Sequence, residues 1–323
     1  MSDLQVVILT HTLPETWIAS LQGKCQLATG PLDATFLAPE LEARLPEAEG
    51  LFCLLTIPVR EALLEKAPRL RVISNMAVGY DNIDVATCTQ RGIPVGNTPG
   101  VLTEGTADLT MALLLSVARN LPAASQDARE GRWKTWSPAG WLGADLNGAT
   151  LGIIGMGKIG QAVAQRARGF GMRIVYTDEV ERPALKLERL SLNELLQTSD
   201  FVSLHVPLTP QTRHLIDEKT LGMMKRTARL INAARGPIVD SLALYQALKN
   251  GQIAGAGLDV TDPEPLPPDH PLYSLPNCLI VPHIGSATMN TRRQMAELAC
   301  ENLLAGLENR RLPNCVNPEV YKA

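Results

Sequence analysis

Short apolar runs and helical stretches alternate along the whole chain. LQVVILT (4–10) reads as a buried strand, and a helical stretch follows Pro14. GLFCLLT (50–56) is a second strand, and Pro58 opens a helix at VREALLEKA. LRVISN (70–75) is a strand, NIDVATCTQRG (82–92) a short helix ending at Gly92, and IPVGN (93–97) another short strand. Apolar runs of this length, separated by helical segments, predict a parallel sheet covered on both faces.

The texture changes after Pro99. GVLTEGTADLTMALLLSVARNL (100–121) is apolar around most of a helical circumference and predicts one long buried helix. Residues 122–148 form a polar, Trp-bearing excursion. A second series starts at Thr150, with strands TLGIIG, RIVYT, FVSLHV, RLINA, GAGLDV and CLIVPH. One long helix spans 287–307. The pattern predicts an α/β fold of two doubly wound parallel-sheet domains.

In the second series TLGIIGMGKIG (150–160) sets Gly155, Gly157 and Gly160 between an apolar strand and a helix. That is the setting a dinucleotide-binding turn requires. Gly155 makes the tight turn, Gly157 lets backbone approach a pyrophosphate, and Gly160 lets helix pack on strand. The helix N-terminus offers free N–H groups and a positive dipole end. The next strand ends at Asp178, eighteen residues beyond Gly160. A carboxylate there accepts hydrogen bonds from the adenosine ribose and repels a 2′-phosphate. NAD(H) is favoured, and NADP(H) stays possible because Arg182 softens the preference.

Composition narrows the class. The chain has 323 residues, which suggests two domains at about 150 residues each. Thirty Lys and Arg stand against 33 Asp and Glu, for a net charge of −3. No nucleic acid and no membrane surface is expected as a partner. The longest uncharged apolar stretch, 109–118, is about half a bilayer span. MSDLQVVILT lacks the basic start of a signal peptide. Cys25, Cys53, Cys88, Cys278, Cys300 and Cys315 form no CxxC pair. Reduced thiols, a cytoplasmic location and no metal site are the expectation.

Three polar residues follow strands of the second series: Arg235 after RLINAA, Glu264 in DVTDPEPLP, and His283 after CLIVP. In open α/β sheets ligands bind beyond the carboxyl ends of the strands. The residue types suit carbonyl reduction. Hydride addition to a ketone leaves an alkoxide that needs a proton, which histidine can give. A carboxylate beside it stabilises the imidazolium. Arginine binds and polarises a carboxylate or carbonyl oxygen through a planar pair of donors.

The chain resembles the D-isomer-specific 2-hydroxyacid dehydrogenases, in particular their glyoxylate/hydroxypyruvate reductase branch. The segments are VGYDNID (78–84), GVLTEGTADLTMALLL (100–115), TLGIIGMGKIG (150–160), HVPLTPQTRHLI (205–216), INAARGPIVD (231–240), GLDVTDPEPLPPDHPL (257–272) and PHIGSATMNTR (282–292). The resemblance implies a catalytic set of Arg235, Glu264 and His283. It implies that backbone at Val78 and Gly79 holds the substrate carboxylate, with Leu55 and Ser286 lining the substrate. It places Lys158 and Ile159 at the pyrophosphate turn. Thr106, Val206, Pro207, Thr212, Ala233, Asp259 and Gly285 line the cofactor in such enzymes, together with Arg235 and His283. It implies a flavodoxin-like substrate domain (1–99 and 288–323) and a Rossmann cofactor domain (100–287), with a cleft between. It also implies a homodimer through residues 100–148, in which Trp136 or Trp141 reaches the partner's site or forms interface core.

The expected activity is reduction of small 2-oxoacids, glyoxylate to glycolate and hydroxypyruvate to D-glycerate, with His283 as proton donor. Alternatives are another D-2-hydroxyacid dehydrogenase, phosphite oxidation, or an NAD(H)-sensing protein like the corepressors that share the fold.

Overall fold

The computed structural model describes residues 4–322. They form two compact units, one of residues 4–102 with 288–322 and one of residues 103–287.

The first unit is a five-stranded sheet of β1 (Val6–Leu9), β2 (Gln26–Thr29), β3 (Gly50–Cys53), β4 (Val72–Asn75) and β5 (Val95–Gly96), all parallel, in the order β2-β1-β3-β4-β5. One face carries α1 (Pro39–Glu42), α2 (Glu61–Glu65) and α3 (Val85–Gln90), whose core includes Leu41, Leu64 and Cys88. The other carries the C-terminal helix Met289–Leu307. Missing side chains set that approach: a Cβ at Gly50 would lie 3.0 Å from a Leu303 methyl, and one at Gly306 would overlap Val72. Ser74 Oγ donates to Ala299 O at 2.7 Å.

The stretch after Pro14 differs from expectation. It makes two single 3-10 turns, Glu15–Trp17 and Ala19–Leu21, rather than an α-helix. Within them only Leu21 is buried, so no apolar stripe supports a longer helix. The edge strand β2 is half-exposed and gives no continuous apolar run to read.

The second unit is a seven-stranded parallel sheet of β6 (Thr150–Ile154), β7 (Arg173–Thr177), β8 (Glu188–Arg189), β9 (Phe201–Leu204), β10 (Arg229–Asn232), β11 (Gly255–Leu258) and β12 (Cys278–Ile280). The order is β12-β11-β10-β9-β6-β7-β8. Strand order reverses at β6, which makes its carboxyl end a topological switch point. The helices are α4 (Thr103–Ala118), α5 (Leu121–Arg129), α6 (Lys158–Gly169), α7 (Leu192–Thr198), α8 (Glu218–Leu221) and α9 (Ser241–Lys249). Helix α4 lies on β10 and β11, where Gly257 leaves room for Leu113 and Val117.

The run 100–121 is therefore not one helix. It stops at Ala118, Asn120 turns left-handed at φ 51°, and α5 begins with Pro122 in its first turn. Arg229, buried, donates from Nε to Val117 O at 3.0 Å and so satisfies a carbonyl of the last turn. Helix α5 opens the excursion, which is irregular from 130 to 149. Among the described residues no helix is long and apolar enough to cross a membrane, and no group of His, Cys, Asp or Glu is placed to hold a metal. All six cysteines are free.

Candidate active site

The glycine turn joins β6 to α6. Gly155 takes φ 94°, and a Cβ on it would lie 2.7 Å from the His205 carbonyl carbon. A Cβ on Gly160 would overlap the Gly155 carbonyl oxygen, so helix and turn close only on glycine. Gly157 caps α6, and a Cβ there would meet nothing within 4 Å. The space over Gly157 is open and floored by backbone at a helix N-terminus, which fits a pyrophosphate. Lys158 and Ile159 open the helix, with Lys158 exposed.

Asp178 follows β7 and is tied to this turn. Its Oδ2 accepts from Met156 N at 2.6 Å and its Oδ1 from Val180 N at 2.8 Å. Arg182 stands beside it, with Nη2 4.0 Å from Oδ2. The carboxylate thus keeps its place next to the glycine turn, with a guanidinium in reach.

Arg235, Glu264 and His283 follow β10, β11 and β12, three adjacent parallel strands, at their carboxyl ends. His283 Nδ1 meets Glu264 Oε1 at 2.6 Å, and both side chains are partly exposed. This leaves Nε2 as the nitrogen not used by the pair. Glu264 Oε2 accepts from Thr261 N at 3.2 Å. Asn232 orients Arg235 by donating to its carbonyl at 2.8 Å and accepting from Ala234 N at 3.0 Å. Thr261 and Asn232 were not singled out in the sequence. Asn232 stands in the same INAARG segment as Arg235, but its contacts depend on the turn after β10.

Asp259 is buried and faces inward. Its carboxylate accepts from Ile284 N at 2.6 Å and Gly285 N at 2.9 Å, and its carbonyl accepts from His283 N at 2.8 Å. Burial is the largest influence on its carboxyl and pushes the pKa up, against those two N–H donors. Its contacts in the structure fold the His283 turn. Gly285 also lies near Thr106 on α4, since a Cβ there would be 3.5 Å from the Thr106 side chain.

Val206 and Pro207 follow β9 beside the glycine turn, and Thr212 Oγ1 donates to Pro207 O at 2.6 Å. Ala233 follows β10, and Ser286 comes three residues after His283. His205 contacts Ser203 Oγ through Nε2 at 2.8 Å, and enclosure of its ring pushes its pKa down to about 4. The second unit thus gathers most of the expected residues on one sheet edge. Leu55, Val78 and Gly79 belong to the first unit, on loops after β3 and β4.

In the excursion the two tryptophans differ. Trp141 Nε1 donates to Asp127 Oδ2 on α5 at 2.7 Å, whereas Trp136 is 80% exposed.

The family model "D-isomer specific 2-hydroxyacid dehydrogenase, NAD binding domain" matches residues 111–285. Over 321 residues the chain is 49% identical to a glyoxylate reductase of Korarchaeum cryptofilum, covering 98% of this chain and 97% of that one. A Thermus thermophilus protein of solved structure superposes with a TM-score of 0.91 at 50% identity, covering 97% of this chain and 100% of its own. The NADPH-dependent glyoxylate/hydroxypyruvate reductase of Sinorhizobium meliloti, solved with NADP and malonate, superposes with a TM-score of 0.84 at 32% identity, covering 97% of each chain.

Proposed function

The chain belongs to the D-isomer specific 2-hydroxyacid dehydrogenase family, and from that premise we propose that it reduces glyoxylate to glycolate and hydroxypyruvate to D-glycerate. The observation that carries this reading is the 2.6 Å His283–Glu264 pair on the sheet edge that also bears Arg235 and the glycine turn. A bound nicotinamide dinucleotide would supply the hydride. Gly155, Gly157, Gly160 and Asp178 would hold it, with Asp178 favouring NAD(H) over NADP(H).

Arg235 binds the 2-oxoacid and draws electron density toward its carbonyl oxygen. As that oxygen becomes an alkoxide, His283 gives it the Nε2 proton. Nδ1 stays bonded to Glu264, which holds the ring in place and stabilises the imidazolium before transfer. Backbone N–H groups of Val78 and Gly79 take the substrate carboxylate. We assign the protein to the cytoplasm on its six free thiols. We assign it a homodimeric state through residues 100–148 on the exposed Leu121, Trp133, Trp136 and Leu142 of that stretch.

The test is a panel of 2-oxoacids with NADH and with NADPH, followed by loss of reduced-cofactor absorbance. Turnover of glyoxylate or hydroxypyruvate at or above about 1 per second is expected. Asp178→Ala should narrow the NADH/NADPH ratio. Tight NADH binding with no 2-oxoacid turned over would replace this reading with that of an NAD(H) sensor.

A further inference from the structure

The loop after β4 is fastened by its carbonyl oxygens, three in succession. Ala77 O accepts from Thr98 N at 2.9 Å, Val78 O from Asn97 Nδ2 at 2.9 Å, and Gly79 O from Asn75 Nδ2 at 2.9 Å. In a trans peptide the N–H points opposite to the carbonyl. The N–H groups of Val78, Gly79 and Tyr80 therefore face away from the body of the unit. Among the described residues none of the three finds an acceptor. Successive N–H groups turned to one side form a concavity for an anion.

The two asparagines are themselves held. Asn75 is fully buried, and its Nδ2 also lies 3.3 Å from Asn82 Oδ1. Asn82 Nδ2 donates to Leu54 O at 3.3 Å and Ile57 O at 3.1 Å, so one amide chain spans both substrate-side loops. The Asn97 carbonyl accepts from Asn302 Nδ2 at 2.9 Å, and Asn302 Oδ1 accepts from Asn314 N at 3.0 Å. An unfastened Val78–Gly79 segment could rotate its peptide planes and point carbonyls at an incoming anion.

We propose that Asn97 and Asn75 are positioning residues for substrate, orienting the 78–80 peptides so that their N–H groups receive the 2-oxoacid carboxylate. The proposal rests on the reading that this loop takes that carboxylate. Asn97 is the residue to vary, because it is less buried than Asn75. Asn97→Asp keeps the shape, loses the donor and sets a negative charge against the Val78 carbonyl. Asn97→Ala loses the donor alone and serves if the charged variant does not fold.

Each variant is compared with wild type on glyoxylate and on its uncharged methyl ester, with NADH affinity and thermal midpoint measured alongside. KM for glyoxylate should rise about ten-fold or more, the scale of a lost hydrogen bond to a charged group, with kcat changed by less than about three-fold. The ester's kcat/KM and the NADH affinity should stay within about two-fold of wild type, since neither involves the carboxylate. An unchanged glyoxylate KM overturns the proposal. So does an equal loss on acid and ester, or a matching loss of NADH affinity, because either marks a merely structural role. A wild type that reduces no 2-oxoacid overturns the functional reading and this proposal with it, and is told apart by the control alone.

Discussion

His283, the proposed proton donor, sits in a backbone conformation that non-glycine residues seldom adopt, φ 51°. Such a residue costs of order 1–3 kcal/mol and persists where surroundings over-determine it. Here Asp259 does so, binding the N–H groups of 283, 284 and 285. His283→Ala should cut turnover by about 100-fold or more and leave NADH affinity near wild type, since only the proposed proton donor is lost. NADH fluorescence titration beside steady-state kinetics checks both halves. His205 makes a second prediction at this scale. Its folded pKa of about 4 lies below the value near 6.5 of an unperturbed imidazole. Between those values the unfolded chain binds more protons, so stability is complete above about 6.5 and falls as pH drops toward 4. Urea unfolding at pH 7 and pH 5 should show wild type losing about 1–2 kcal/mol that His205→Gln does not lose.

At the scale of elements, the glycines join turns that carry different duties. Gly236, immediately after Arg235, has no room for a Cβ, which would overlap the Thr261 carbonyl. Gly236→Ala should push the 261–264 segment away, lower kcat at least ten-fold through Glu264, and cost about 1–3 kcal/mol of stability. A thermal melt and kinetics suffice to check it. Elements also decide what could be read in advance. The interior strands were legible because burial on both faces leaves unbroken apolar runs, as in GLFCLL or TLGII. The glycine turn was legible because its strand and helix flank it. The short edge strands β2 and β8 bury too little to show. The break at Asn120 hid inside an apolar run, since its left-handed turn is a backbone property. The candidate catalytic residues were visible by type and place, but not what holds them. Thr261 acts through its amide, Asn232 through a turn, and Asp259 through a carboxylate whose inward direction no motif states.

At the scale of the molecule, the excursion that α5 opens carries the surface proposed to meet a second copy. Asp127 accepts from both Trp141 Nε1 and Arg132, pinning the base of the excursion, while Trp136 stays exposed. If a second copy covers it, Trp136→Ala should shift the protein toward monomer at micromolar concentration, read by light scattering. A wild type that is monomeric would remove the dimer assignment. The first unit has a further property, which concerns its making. Its sheet lies within residues 6–96, yet the helix that covers one face is Met289–Leu307. Translation delivers those strands first and that cover last, after the whole of residues 103–287. The second unit can thus complete its fold on the ribosome while the older segment still waits with an uncovered apolar face. At about 5–20 residues per second, that wait lasts roughly 10–40 seconds. Until residues 289–307 emerge, that uncovered face is a stretch of the nascent chain open to aggregation.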